Sequence, residues 1–164
     1  MTTLMTKKKP LLLLAVAVVA AVGLARWWTH DSDDAADPTL VFDRIWLDEL
    51  PRKPQQTFNT FIAATEEPFG LFHTGSQWKG TYEVFNHKAS GDRLRVVYLQ
   101  SNESETVKVR AWACKERGMD YCLELTGASR GVKRYRSKEG WEIGAATRPE
   151  QLLDRVASIV RAAN

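Results

Sequence analysis

Thr106-Val107-Lys108-Val109-Arg110-Ala111-Trp112-Ala113-Cys114-Lys115, then Glu116-Arg117-Gly118, then Met119-Asp120-Tyr121-Cys122-Leu123-Glu124-Leu125-Thr126, alternates apolar and polar residues on both sides of a short glycine-bearing turn. A strand sends successive side chains to opposite faces, so the pattern predicts a β-hairpin. Val107, Val109, Ala111 and Ala113 would face Tyr121, Leu123 and Leu125 on a buried side, leaving Lys108, Arg110, Trp112, Cys114, Asp120, Cys122 and Glu124 on the other. The expectation is an antiparallel sheet with one solvated face.

The same period recurs on either side of this hairpin. Candidate strands run from Leu40 to Leu47, Thr57 to Ala64, Phe69 to Thr74, Trp78 to Phe85, Arg93 to Leu99 and Val132 to Ser137. Their separators are short, Leu50-Pro51-Arg52-Lys53-Pro54 and Ala89-Ser90-Gly91-Asp92 among them, and short connections favour antiparallel neighbours. Pairing Val84 with Leu94 and Tyr82 with Val96 would keep Trp78, Tyr82 and Val84 on one apolar face. Past Ser137 the period changes. Leu152, Leu153, Val156, Ile159, Val160 and Ala163 fall at helical spacing, with Thr147 and Glu150 as a capping box, which predicts an amphipathic helix over 148–163. The fold class is therefore mainly β, an antiparallel meander forming a small barrel or sandwich. One C-terminal amphipathic helix either plugs an end or lies on the outer sheet. This architecture resembles that of lipocalin-like barrels, although no signature of that family falls on these residues.

The N-terminus carries an address. Lys7, Lys8 and Lys9 precede Pro10 and an apolar run from Leu11 to Ala25, closed by Arg26, Trp27 and Trp28. Lysines before the run and Asp31, Asp33 and Asp34 after it would leave the N-terminus in the cytoplasm and the main chain outside. Residues 1–28 read as an N-terminal membrane-targeting helix, either a signal-anchor that spans through residues 10–28 or a signal peptide cut near Ala25. Residues 29–37 read as an acidic spacer and 38–164 as a single exported domain. The expected location is the cell envelope: anchored in the cytoplasmic membrane with the domain outside, periplasmic if bacterial, or soluble and secreted after cleavage. A net charge of +3 and a pI near 8.9 are mild, so no nucleic acid partner is expected.

Cys114 and Cys122 share a face by parity and flank one turn, which predicts a disulfide in an oxidising compartment. If Lys115 pairs with Tyr121 the two cysteines are directly opposed, and this is the favoured register. If Lys115 pairs with Met119 they become diagonal and too far apart to join.

Arg130, Lys133, Arg134, Arg136 and Lys138 place five cations in one acid-free stretch. They could grip an anionic envelope component or an acidic partner protein; alternatively they form a solvated strand balanced by acids on neighbouring strands. Trp112, on the polar face, is a candidate aromatic platform or a locally packed ring. His73 with Ser76 lacks an orienting acid, His87 falls in a polar turn, and no histidine or cysteine spacing suits a metal, so neither a catalytic site nor a cofactor is expected. These readings converge on a non-enzymatic cell-envelope protein whose β-domain is an interaction or ligand-binding module. The alternatives are an envelope-acting hydrolase and a carrier of a small apolar ligand in a lipocalin-like barrel.

Overall fold

A computed structural model describes residues 35–66, 68–76, 79–144 and 149–162. Residues 1–28, on which the targeting expectation rests, lie outside the described residues, as do Trp78 and Thr147. Eight antiparallel strands follow one another around a closed barrel: β1 (Trp46–Leu47), β2 (Phe58–Ala63), β3 (Phe69–Gly75), β4 (Gly80–Ser90), β5 (Arg93–Tyr98), β6 (Ser104–Glu116), β7 (Met119–Thr126) and β8 (Arg134–Ser137). Leu47 pairs with Arg136, and Ser137 Oγ donates to the Ile45 carbonyl at 2.7 Å, joining the last strand to the first. Closure leaves no sheet edge to template aggregation, and it decides for the barrel over the sandwich.

The expected strand from Leu40 to Leu47 is mostly something else. Pro38–Val41 form a 3-10 turn, because Pro38 suits the first helical position and the Asp37 carboxylate accepts from the Thr39 N–H at 2.9 Å. Asp43, at φ +52°, then interrupts the extended path, leaving only two residues to β1.

The second correction concerns β4 and β5. Phe85 pairs with Tyr98, His87 with Val96 and Ala89 with Leu94, because Gly91-Asp92 forms a two-residue turn and β4 continues to Ser90. Gly91 supplies the positive φ, +58°, that such a turn demands. The offset from the expected register is odd, so it exchanges the faces of β4. Phe85 is fully buried and Tyr82 is 56% exposed, so the apolar face assigned to Tyr82 and Val84 points out of the barrel.

Rings fill the interior. Phe61, Phe72, Phe85, Tyr98 and Tyr135 are buried with Leu94, Val96, Val107, Val109, Leu123 and Leu125. Phe61 and Phe72 lie 5.1 Å apart by centroids, and Phe72 and Phe85 lie 5.2 Å apart, tilted as aromatic pairs prefer. Helix α1 (Pro149–Ala162) lies on the outside, the second of the two expected placements. Leu152, Val156 and Val160 are buried against Ile45, Leu47, Phe58, Ile62 and Leu71. β2 is thereby covered on both faces, which is why its sequence is apolar at both parities.

Candidate functional site

The opening hairpin carries the chemistry. Trp112 pairs with Cys122 and Ala113 with Tyr121, but the register shifts between Ala113 and Glu116 so that Glu116 pairs with Met119. The body of the hairpin thus follows the disfavoured register, which continued without the shift would set Lys115 opposite Met119. Cys114 and Cys122 are nevertheless bonded, with Cα atoms 5.7 Å apart. The bulge is the physical reason. An extra residue on one strand bends it and re-aims its side chains, bringing a diagonal pair within bonding distance. The expected bridge exists, and the expected direct opposition does not.

Around the bridge the predicted site residues separate. Trp112 is only 5% exposed, with Arg110 at 4.6 Å and Arg134 at 5.7 Å from its ring centroid, so its face is already stacked by guanidiniums. Arg134 and Arg136 both bind the Glu116 carboxylate, Arg136 at 3.2 Å. Lys133 pairs with Glu124 at 2.9 Å, and that hydrogen bond holds the Glu124 carboxyl below its usual range. Arg130 stands apart from these, in the β7–β8 loop. Its guanidinium meets Glu83 and Glu103 at 2.8 Å each and lies 5.0 Å over Tyr98, whose hydroxyl bonds Glu105 and is pushed up in pKa chiefly by burial. Lys138 lines a second groove, of about 510 Å³, with Leu50, Trp141, Arg155 and Ile159. Four of the five cations therefore meet acids on other strands or loops. The structure does not gather the five on one face.

It gathers a different set instead. Asp48, Glu49, Leu50, Pro51, Arg52 and Gln56 of the β1–β2 loop, Arg117 and Met119 of the hairpin tip, and Arg136 of β8 line a cleft of about 560 Å³. Pro51 and Met119 are buried there, while Arg52 and Arg117 are exposed. Arg136 Nη1 donates to the Asp48 carbonyl at 2.9 Å, which ties the end of β1 to β8. Sequence reasoning passed over Arg52 and Arg117 because both stand in segments read only as separators. One local signal was present in Arg117-Gly118, an arginine where a two-residue turn needs a positive φ.

His73 and His87 are packing residues. His73 lies against Gly80, where an added Cβ would come within 2.2 Å of Nε2, and tilts on Phe58. His87 belongs to β4 rather than to a turn; its Nε2 donates to the Ala64 carbonyl at 2.9 Å. Burial lowers both pKa values from the usual 6.5. Because the folded values are depressed, their stabilising contribution is present above the unfolded pKa and is lost as pH falls through the folded one. The melting temperature should stay level above about pH 7 and decline below about pH 6.5. Changing both histidines to glutamine should flatten that acid limb; an unaltered slope would place the effect on the carboxylates.

Among the described residues, no three His, Cys, Asp or Glu side chains cluster as a metal ligand set would. No helix among them is long and apolar enough to cross a membrane. Comparison with family models, curated proteins and solved structures finds no match for this chain.

Proposed function

We propose that this is a non-enzymatic cell-envelope protein whose β-barrel domain is held outside the cytoplasmic membrane and works as a binding module through its outer surface. The observation that carries the reading is the Cys114–Cys122 bridge, since such bonds persist in oxidising compartments. The lysine-led apolar run from Leu11 to Ala25 supports the same location. The filled interior favours recognition on the outer face, because Phe61, Phe72, Phe85 and Tyr135 occupy the volume that an enclosed carrier would leave for its ligand.

Fractionation of a C-terminally tagged full-length chain tests the reading. The tag should be digested by protease added outside intact cells or spheroplasts, and the chain should sediment with membranes. A mature form beginning near Arg26 would keep export and reject the anchor. A full-length cytoplasmic pool with two alkylatable thiols would overturn the proposal.

A further inference from the structure

Three guanidiniums line the cleft between the β1–β2 loop and the β6–β7 hairpin tip, and they are not in the same electrostatic state. Arg136 is fixed: its side chain is 13% exposed and bound by Glu116 and the Asp48 carbonyl. Arg52 and Arg117 are exposed, and among the described residues neither side chain has an ion-pair or hydrogen-bond partner. The carboxylates of the lining are already engaged. Asp48 accepts from the Glu49 N–H at 2.8 Å and from the Asn59 N–H and Nδ2 at 2.7 and 2.6 Å; Glu49 accepts from Gln56 Nε2 at 2.8 Å. Two guanidiniums thus keep unused N–H donors at the rim, in a lining where three arginines outnumber the carboxylates of Asp48 and Glu49.

The backbone at Arg117 points the same way. Arg117 has φ +52° and Gly118 has φ +76°, so both central residues of the two-residue turn are left-handed. That conformation suits glycine or asparagine, and a long side chain there is strained. Strain of this kind gathers where a side chain has work to do. The Cys114–Cys122 bridge staples the same hairpin a few residues from its tip, which limits how far Arg117 can swing.

We infer that this cleft is an anion site that takes a phosphate monoester group, with Arg52 and Arg117 closing on it above Arg136. The inference rests on reading the domain as a binding module. A phosphate monoester carries nearly two negative charges at neutral pH and three acceptor oxygens that take paired N–H donors from guanidiniums, so one group can bridge the two unpartnered arginines. The volume of about 560 Å³ is in the range of small-ligand clefts and leaves room for the remainder of the molecule over Pro51 and Met119. A soluble phosphorylated metabolite and a lipid headgroup bearing a terminal phosphate share this chemistry.

The test uses the full-length chain in a neutral detergent at low salt, titrated with glycerol 3-phosphate, and the same chain mixed with phosphatidylcholine nanodiscs with or without phosphatidic acid. Saturable one-to-one binding is expected, weakening roughly tenfold or more for each arginine lost in Arg52→Gln and Arg117→Gln. Affinity should fall below about pH 6, where the phosphate takes up its second proton. Arg117→Gly separates binding from folding, since it should hold or raise the melting temperature by relieving the left-handed strain while losing affinity. Binding of glycerol 3-phosphate assigns a soluble ligand; without it, association with phosphatidic acid discs in excess of that with phosphatidylcholine discs, lost in Arg117→Gly, assigns a headgroup. Absence of saturation in both arms, or equal affinity in Arg117→Gly, overturns the site. Neither result bears on the fractionation experiment, so failure of this site and failure of the export reading are distinguishable.

Discussion

Phe85→Ala is expected to cost about 4 kcal/mol of folding stability, because a fully buried ring loses both its transfer energy and the contacts of the cavity it leaves. Its neighbours cannot readily close that cavity. Phe61, Phe72 and Tyr98 each approach Phe85 within 6.2 Å by centroids and belong to three other strands whose positions the closed barrel sets. Gly70 is the other half of the same contact. A Cβ built there would lie 2.1 Å from the Phe85 ring and 2.7 Å from the Ile62 carbonyl oxygen, so Gly70→Ala should cost about 2 to 3 kcal/mol through overpacking. Combining Gly70→Ala with Phe85→Leu should cost less than the sum of the single changes, by about 1 kcal/mol, since the smaller side chain vacates the space the methyl needs. Urea unfolding with unchanged m-values measures all of these. Strict additivity would show that Phe85 and Gly70 do not share a packing site, and with it the observed β3–β4 register would fall.

Removing Cys114 and Cys122 together, as alanines, is expected to cost ~2.5 kcal/mol, the chain-entropy value for so short a closed loop. The sequence separation of 8 sets that modest size. Intact protein from an oxidising compartment should be lighter by two hydrogens than its reduced form and should resist alkylation until reduced. Cys122 is fully buried beside Trp112, so leaving one unpaired thiol by a single change should expose the packing of the hairpin as well as its tether. Two reactive thiols in unreduced native protein would contradict the bulged hairpin. Unchanged stability in the double variant would show that the unfolded chain already holds the two positions near one another.

The sequence alone determined what depends on local period and on chemistry that travels with a residue. Alternation through Val107, Val109, Ala111, Leu123 and Leu125 assigned the buried face of β6 and β7, and spacing from Leu152 to Val160 assigned the helix, because both follow from where successive side chains point. Parity around Gly118 put Cys114 and Cys122 on one face, but the register expected to oppose them directly is not the one formed, and it is the bulge that brings the diagonal pair together. Register was not legible, since the Ala89 to Asp92 segment fits turns of more than one length, and an odd change in length exchanges Phe85 for Val84 in the core without altering either strand's own pattern. Nor was the fate of the cations. Arg130 meets Glu83 and Glu103, and Arg134 and Arg136 meet Glu116, only because closure brings separate strands and loops side by side. The cleft of Arg52, Arg117 and Arg136 belongs to the same class: three segments with no local relation in sequence converge at the joint where the last strand returns to the first, and tertiary structure alone decides which charges find partners there and which remain open.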